Sequence, residues 1–127
     1  KIINHNEIII VNSFGSLTKY FKYSKSVFIG KTLLKRLENE GGQNPVEAAK
    51  LNCKIYHGPY VKNFEEIYNL LRSLNITFEI NNEDELSKKL KYDFENLNTK
   101  ENVSSKINIL GNKILNDSIK EINRVLN

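Results

Sequence analysis

The sequence has one cysteine, two prolines, no methionine and no tryptophan. A single thiol cannot form an internal disulfide, and neither a secretory signal nor an apolar run approaching the ~20 residues of a membrane span is recognisable. These absences exclude a disulfide-stapled domain and favour a soluble chain in a reducing, cytoplasmic compartment. Because the first residue is Lys1 and methionine is absent, we expect a fragment of a longer protein.

Histidine and arginine are also scarce. The two histidines, His5 and His57, belong to no group of Cys, His and carboxylate residues with the spacing of metal ligands, so no metal is predicted. The net charge of +4 comes mostly from lysine and is too mild to indicate a nucleic-acid partner. The basic and aromatic run at residues 19–23 has helical spacing, which predicts that its aromatic side chains face inward.

Short apolar runs alternate with helical patterns along the 127 residues. Strands are predicted at residues 7–11, 26–30, 53–56 and 76–80, the first buried on both faces and the last at an edge of the sheet. Helices are predicted at residues 17–24, 45–51, 63–74, 82–90 and 103–127, with a loop or irregular helix at 31–40 whose role is open. This order predicts an α/β fold with a Rossmann-like parallel sheet and flanking helices.

Ligands of such folds bind at the carboxyl ends of the strands. The turns that follow the predicted strands, at residues 14–16, 30–32, 41–47 and 58–60, are therefore expected to line one crevice. Cys53 begins a buried strand and is interpreted as an inert core thiol rather than a nucleophile. The run from Ile29 to Thr32 is not a P-loop, because Lys25 stands where that motif needs glycine. Lys31 and Thr32 could still offer a charge and a hydroxyl to a phosphate.

The turn before the second helix carries the most information. Gly41 and Gly42 allow positive φ, Asn44 is a favoured N-cap, and Pro45 suits the first helical position. The spacing of Asn44 and Glu47 is that of a capping box, although a helix start with a carboxylate also suits a ligand. On spacing alone we favour the capping box. Asn63 with Glu66 and Asn82 with Glu85 repeat the pattern.

Three runs of the sequence resemble the carboxyl-terminal domain of bacterial 3-deoxy-D-manno-octulosonic acid (Kdo) transferases. They are residues 27–33 (VFIGKTL), 41–49 (GGQNPVEAA) and 57–64 (HGPYVKNF), within a match from about Ile8 to Leu71. The resemblance implies a two-domain GT-B-type glycosyltransferase that transfers Kdo from CMP-Kdo to a lipid A precursor in lipopolysaccharide biosynthesis, without a metal or other cofactor. It also implies that the parent protein works at the cytoplasmic side of the bacterial inner membrane.

The resemblance assigns residues 1–127 to the carboxyl-terminal part of the donor-binding domain. The acceptor site, the general base and the membrane-associating surface would lie in an absent amino-terminal domain, so no catalytic residue is expected here and the fragment alone should be inactive. The implied CMP-binding residues are Phe14, Gly15, Ser16, Asn44, Pro45, Val46 and Glu47, with Glu47 accepting from ribose hydroxyls. A candidate phosphate or sugar loop comprises Gly30, Lys31, Thr32, Gly41, Gly42 and Gln43.

Two other functions stay open at this point. A UDP-sugar-dependent glycosyltransferase or epimerase shares a glycine-rich helix start with a ribose-binding carboxylate, and its preference for UDP over CMP would distinguish it. A non-catalytic α/β interaction module would use the same glycines and caps only to hold its fold. That module would bind no nucleotide.

Overall fold

The computed structural model describes residues 8–12, 15–96 and 104–126. The α-helices are α1 (Leu17–Tyr23), α2 (Val46–Lys50), α3 (Glu65–Ser73), α4 (Glu83–Glu95) and α5 (Ser104–Leu126). The strands are β1 (Ser26–Phe28), β2 (Lys54–His57) and β3 (Thr77–Glu79). Two 3₁₀ helices span Lys35–Glu40 and Lys62–Phe64, so the predicted irregular helix at residues 31–40 is confirmed.

The three strands form one parallel sheet in the order β1-β2-β3. Ser26 pairs with Lys54 across the first ladder, and Ile55 pairs with Thr77 across the second. The predicted α/β fold with a parallel sheet and flanking helices is confirmed, as is the edge position of β3. The helices that connect parallel strands run back against the strand direction, so α2 begins toward the carboxyl ends of the strands.

The apolar core lies on one face of the sheet. Side chains alternate along a strand, and Val27 and Ile55 point to the same face. There they meet buried residues of the helices and connections, namely Ile29, Ala48, Ala49, Cys53, Leu71 and Ile76. Cys53 is 1% exposed, which confirms the prediction of a core thiol.

The opposite face holds a polar cluster instead. Asp93 of α4 is only 5% exposed and accepts hydrogen bonds from Ser26 (2.6 Å), Tyr56 (2.8 Å) and Lys54 (2.9 Å). The Lys54 ammonium also lies 5.1 Å from the ring centroid of Phe78. A single carboxylate thus fastens α4 to β1 and β2.

Two sequence predictions fail at the start of the described chain. Residues 8–11 form no strand, and Ile8 and Ile10 are 82% and 89% exposed, because no neighbouring strand in the described residues pairs with this run. The aromatic side chains of α1 were expected to face inward. Only Phe21 packs on the core, while Tyr20 and Tyr23 are exposed, since two helical turns that contact chiefly α2 can bury little surface.

The long helix at the end of the chain is confirmed as α5, and it contacts α2. Several of its apolar side chains are exposed, including Ile109, Ile119 and Val125. Among the described residues, no helix is long and apolar enough to cross a membrane.

Candidate functional site

The loops after β1 and β2 are joined through Thr32. The Thr32 side chain is fully buried, and its hydroxyl donates to the Ile29 carbonyl (2.7 Å) and accepts from the Gly58 amide (2.8 Å). The Thr32 carbonyl accepts from the Tyr60 amide at 2.9 Å. In this structure the Thr32 hydroxyl therefore serves the protein's own backbone and is not presented to a phosphate.

Gly58 allows this close approach. A Cβ atom at Gly58 would overlap the Thr32 carbonyl oxygen and the Leu33 Cα atom, which are backbone atoms that cannot rotate away. From the sequence, Gly58 was placed in a turn after a strand that was expected to line the crevice, and it was given no role in joining the two loops. The signal for its further role was its position directly after a buried strand in the same sheet as β1.

The glycine turn has the backbone that was predicted for it. Gly41 and Gly42 have φ of +67° and +73°, in the left-handed region that favours glycine. A Cβ atom at Gly41 would lie 2.5 Å from the Asn63 side chain, and one at Gly42 would lie 2.5 Å from Cγ2 of Thr32. The turn is therefore packed against both strand-end loops. Asn63 donates to the Glu40 carbonyl (3.2 Å) and does not cap α3.

Glu47 does not close a capping box. The Asn44 Oδ1 atom accepts from the Val46 amide at 2.9 Å, which forms an Asx turn. Pro45 is buried and occupies the N-cap position of α2, which begins at Val46, whereas it was predicted to be the first helical residue. The Glu47 carboxylate lies 3.3 Å from the Lys50 ammonium, and its side chain is 60% exposed. Our preference for the cap is therefore wrong, because the Asn44 side chain caps the turn without Glu47, whose carboxylate is open to solvent.

The first predicted donor turn is only partly described, since Phe14 lies outside the described residues. Gly15 has φ of +82° with open space around it, and Ser16 precedes α1. The carboxyl ends of α1 and α2 meet at Cys53, whose thiol contacts the Phe21 carbonyl (3.1 Å) and whose amide donates to the Ala48 carbonyl (3.1 Å). Because α1 and α2 also pack together along their length, both helices begin toward the same edge of the sheet.

The remaining candidate loop residues are exposed or partly exposed. Lys31 has φ of +64°, and its ammonium lies 2.5 Å from the Glu40 carboxylate, so its charge is paired across the base of the loop. No atom lies within 4 Å of a Cβ atom built on Gly30. Gln43 is exposed, and its carbonyl accepts from the Tyr68 hydroxyl at 2.9 Å.

A cleft of about 480 Å³ lies where β2 and β3 end. Its wall includes Tyr60, which was in a predicted turn, and an ion pair between Arg72 and Glu79 (2.7 Å). Sequence reasoning missed the other polar residues of the wall because they lie on 3₁₀ segments and helix surfaces without a motif; they are Glu38, Asn39, Lys62, Glu65 and Asn69. Its position at the carboxyl ends of parallel strands is where ligands of such sheets bind.

His57 ends β2 beneath these loops. Its ring is fully buried and lies 4.5 Å from the Tyr68 ring, measured between centroids. Nδ1 donates to the Gly58 carbonyl (2.7 Å), which leaves Nε2 as the unprotonated nitrogen, and the described residues give Nε2 no partner. Burial lowers the pKa of His57, so the ring is neutral. Within the described ranges, no three Cys, His or carboxylate residues are grouped to hold a metal.

The three-stranded parallel sheet, with flanking helices and glycine-containing loops at its carboxyl edge, has a Rossmann-like α/β architecture. No protein-family model matches the sequence. Over 84 residues it is 30% identical to the 3-deoxy-D-manno-octulosonic acid transferase of Aquifex aeolicus (strain VF5), covering 66% of this chain and 23% of that protein. It is also 29% identical over 77 residues to the enzyme of the same name from Haemophilus influenzae (strain ATCC 51907 / DSM 11121 / KW20 / Rd), covering 61% and 17%.

These similarities confirm the resemblance and show that the chain contains a region distantly related to Kdo transferases. The chain spans less than a quarter of the length of these two curated relatives.

Proposed function

We propose that this chain is the carboxyl-terminal part of the donor-binding domain of a GT-B-type Kdo transferase. The protein that contains it would transfer Kdo from CMP-Kdo to a lipid A precursor at the cytoplasmic side of the inner membrane. Support comes from the two relatives and from the sequence motifs that resemble the family. In this proposal residues 1–127 bind the nucleotide sugar, and the acceptor domain lies elsewhere in the longer protein.

One structural observation carries the proposal. The Glu47 carboxylate is exposed on a turn whose backbone is fixed by the Asn44 side chain, the positive φ of two glycines and the Tyr68 hydroxyl. An ionised carboxylate can accept two hydrogen bonds side by side, which suits the adjacent hydroxyls of a ribose. The Glu47 side chain makes no capping bond in α2, and its only described partner is Lys50 in an exposed ion pair. Its carboxylate is therefore open to a ligand.

The residues have distinct roles in this proposal. Glu47 accepts from the ribose of CMP, while Asn44, Pro45 and Val46 shape the turn that carries it. Gly15 and Ser16 belong to the other turn that contacts the nucleotide in this proposal. The transfer step forms a bond from an acceptor hydroxyl oxygen to the anomeric carbon of Kdo and breaks the bond to the CMP phosphate, while the hydroxyl gives its proton to a base outside this chain. The chain's part in that step is to hold the departing CMP, and we assign it neither a catalytic residue nor a metal.

The test is an NMR titration of the ¹⁵N-labelled chain with CMP, with UMP as the control. We expect CMP to shift the amides of Gly15, Ser16, Asn44, Val46 and Glu47, and UMP to shift them much less. Equal or stronger shifts with UMP would favour a UDP-sugar enzyme. No shift with either nucleotide, both for this chain and for the longer protein that contains it, would overturn the proposal and favour an interaction module.

A further inference from the structure

Tyr68 connects the core of the molecule to the glycine turn. It lies on α3, is fully buried, and donates from its hydroxyl to the Gln43 carbonyl at 2.9 Å. Its ring lies against the His57 ring, with 4.5 Å between the centroids. Burial raises the pKa of Tyr68 far above its ordinary value, so the hydroxyl stays protonated and remains a donor at neutral pH.

The turn at residues 41–47 needs such external support. Glycine has the largest conformational freedom to lose, and the turn begins with two adjacent glycines, Gly41 and Gly42. The Asn63 and Thr32 side chains lie beside Gly41 and Gly42, and Asn63 also donates to the Glu40 carbonyl at the start of the turn (3.2 Å). The bond from Tyr68 fixes the peptide that joins Gln43 to Asn44, immediately before the Asx turn.

We propose that Tyr68 is a positioning residue that holds the Gln43 carbonyl and thereby presents the turn at residues 41–47, with Glu47, to the nucleotide. This inference rests on the proposed function and extends it to a residue that touches no ligand. The effect is conformational: without the hydroxyl, the turn samples other backbone arrangements, and the binding-competent one becomes a smaller fraction of the population.

Tyr68→Phe tests the proposal, because it removes the hydroxyl and keeps the ring on His57. Tyr56→Phe is a matched control, since Tyr56 is also fully buried but donates to Asp93 on the opposite face of the sheet. A hydrogen bond of this kind corresponds to about a two- to tenfold change in an equilibrium constant. We expect Tyr68→Phe to raise the Kd of CMP by that factor and to speed amide exchange at residues 41–46. Tyr56→Phe should lower the melting temperature and leave both quantities unchanged.

Either of two results would overturn the proposal. One is wild-type amide exchange at residues 41–46 in Tyr68→Phe. The other is an equal loss of CMP affinity in both tyrosine variants, which would indicate a general loss of stability. If the wild-type chain shows no CMP binding, the proposed function fails for the chain, and the exchange measurement on the free protein still decides whether Tyr68 holds the turn.

Discussion

Glu47 contributes little to the stability of its own helix. Its single described partner is Lys50, at 3.3 Å, and both side chains are more than half exposed. Exposed ion pairs of this kind typically contribute 0–1 kcal/mol, because water screens the charges and the side chains lose entropy. Stability and ligand binding can therefore be separated at this residue.

Glu47→Gln removes the negative charge with little change of shape. We expect the free energy of unfolding to change by less than about 1 kcal/mol. CMP affinity should fall by roughly 10- to 100-fold, the range for lost hydrogen bonds to a charged group. Thermal unfolding and CMP titration measure the two effects. Lys50→Ala is the control, because it breaks the same ion pair and leaves the carboxylate in place. A clear loss of stability with unchanged affinity would return Glu47 to a structural role.

His57 makes stability depend on pH. Burial lowers its pKa below the ordinary value of 6.5, against a smaller opposing effect of the Gly58 hydrogen bond. Above pH 6.5 both the folded and the unfolded chain hold a neutral imidazole here. As pH falls below 6.5, the unfolded chain binds a proton at His57 that the folded chain does not bind. Stability therefore falls with pH until the folded pKa is reached.

We expect this loss to approach about 1.4 kcal/mol per pH unit from this single group. Denaturant unfolding at pH 7.5, 6.5 and 5.5 measures it. His57→Gln should flatten the dependence in that range. An unchanged slope in His57→Gln would show that the ring takes up its proton in the folded state.

Helix starts show what local spacing can predict. Of the three Asn and Glu pairs, only that of α4 caps its helix: the Asn82 side chain accepts from the Glu85 amide at 2.9 Å. The chain enters α4 through an extended residue, with φ of −157° at Asn82. Asn44 precedes a proline and turns the chain one residue earlier, and Asn63 is held by the Glu40 carbonyl. The entry path of the chain decides the cap, and spacing does not reveal that path.

Strands and loops were predicted with the same mixture of success and error. β1, β2 and β3 follow from short apolar runs bounded by turn residues. The similar run at residues 8–11 forms no strand, because forming one requires a pairing neighbour that local sequence cannot supply. The glycine turn was predictable from local conformational demands. The cleft at the ends of β2 and β3 was not, because only the fold brings its polar residues together.

The two strand-end loops approach each other so closely that Gly58 admits no side chain. Gly58→Ala would drive a methyl group into the backbone at Thr32 and Leu33, so we expect a loss of about 2–3 kcal/mol. Gly30→Ala is the matched control in the partner loop, where the added methyl meets open space and should change stability by less than about 0.5 kcal/mol. Chemical unfolding measures both. Equal effects would mean that the loops separate easily.

At the scale of the molecule, the two faces of the sheet are stabilised by different physics. One face buries aliphatic side chains of α2, α3 and their connections against Val27 and Ile55. The other joins α4 to the sheet through Asp93. Burial alone would raise the pKa of Asp93, but hydrogen bonds from Lys54, Ser26 and Tyr56 outweigh it and hold the pKa below 3.8.

The sign of this shift predicts the acid behaviour of the second face. Because the folded pKa lies below the unfolded one, the stabilisation by Asp93 is complete above pH 3.8 and is lost as pH falls through the folded pKa. The loss linked to His57 begins at a higher pH, once the pH falls below 6.5. On acidification, the face of the sheet that buries His57 should therefore be weakened first, and the face that carries Asp93 second.

Asp93→Ala removes the carboxylate that these three donors share. Tyr56 is fully buried, so its hydroxyl would lose its acceptor without gaining water, and the Lys54 ammonium would lose its ion-pair partner. We expect a loss of about 3 kcal/mol in the free energy of unfolding. Amide exchange in α4 should quicken more than exchange at residues 41–47, because the cluster lies on the face opposite the core that supports the turn.

Glu95→Ala is the control, since Glu95 is an exposed acid on the same helix at 4.0 Å from Lys91. It should lower the free energy of unfolding by less than about 1 kcal/mol. Similar losses from both variants would mean that α4 is held by its apolar contacts rather than by Asp93.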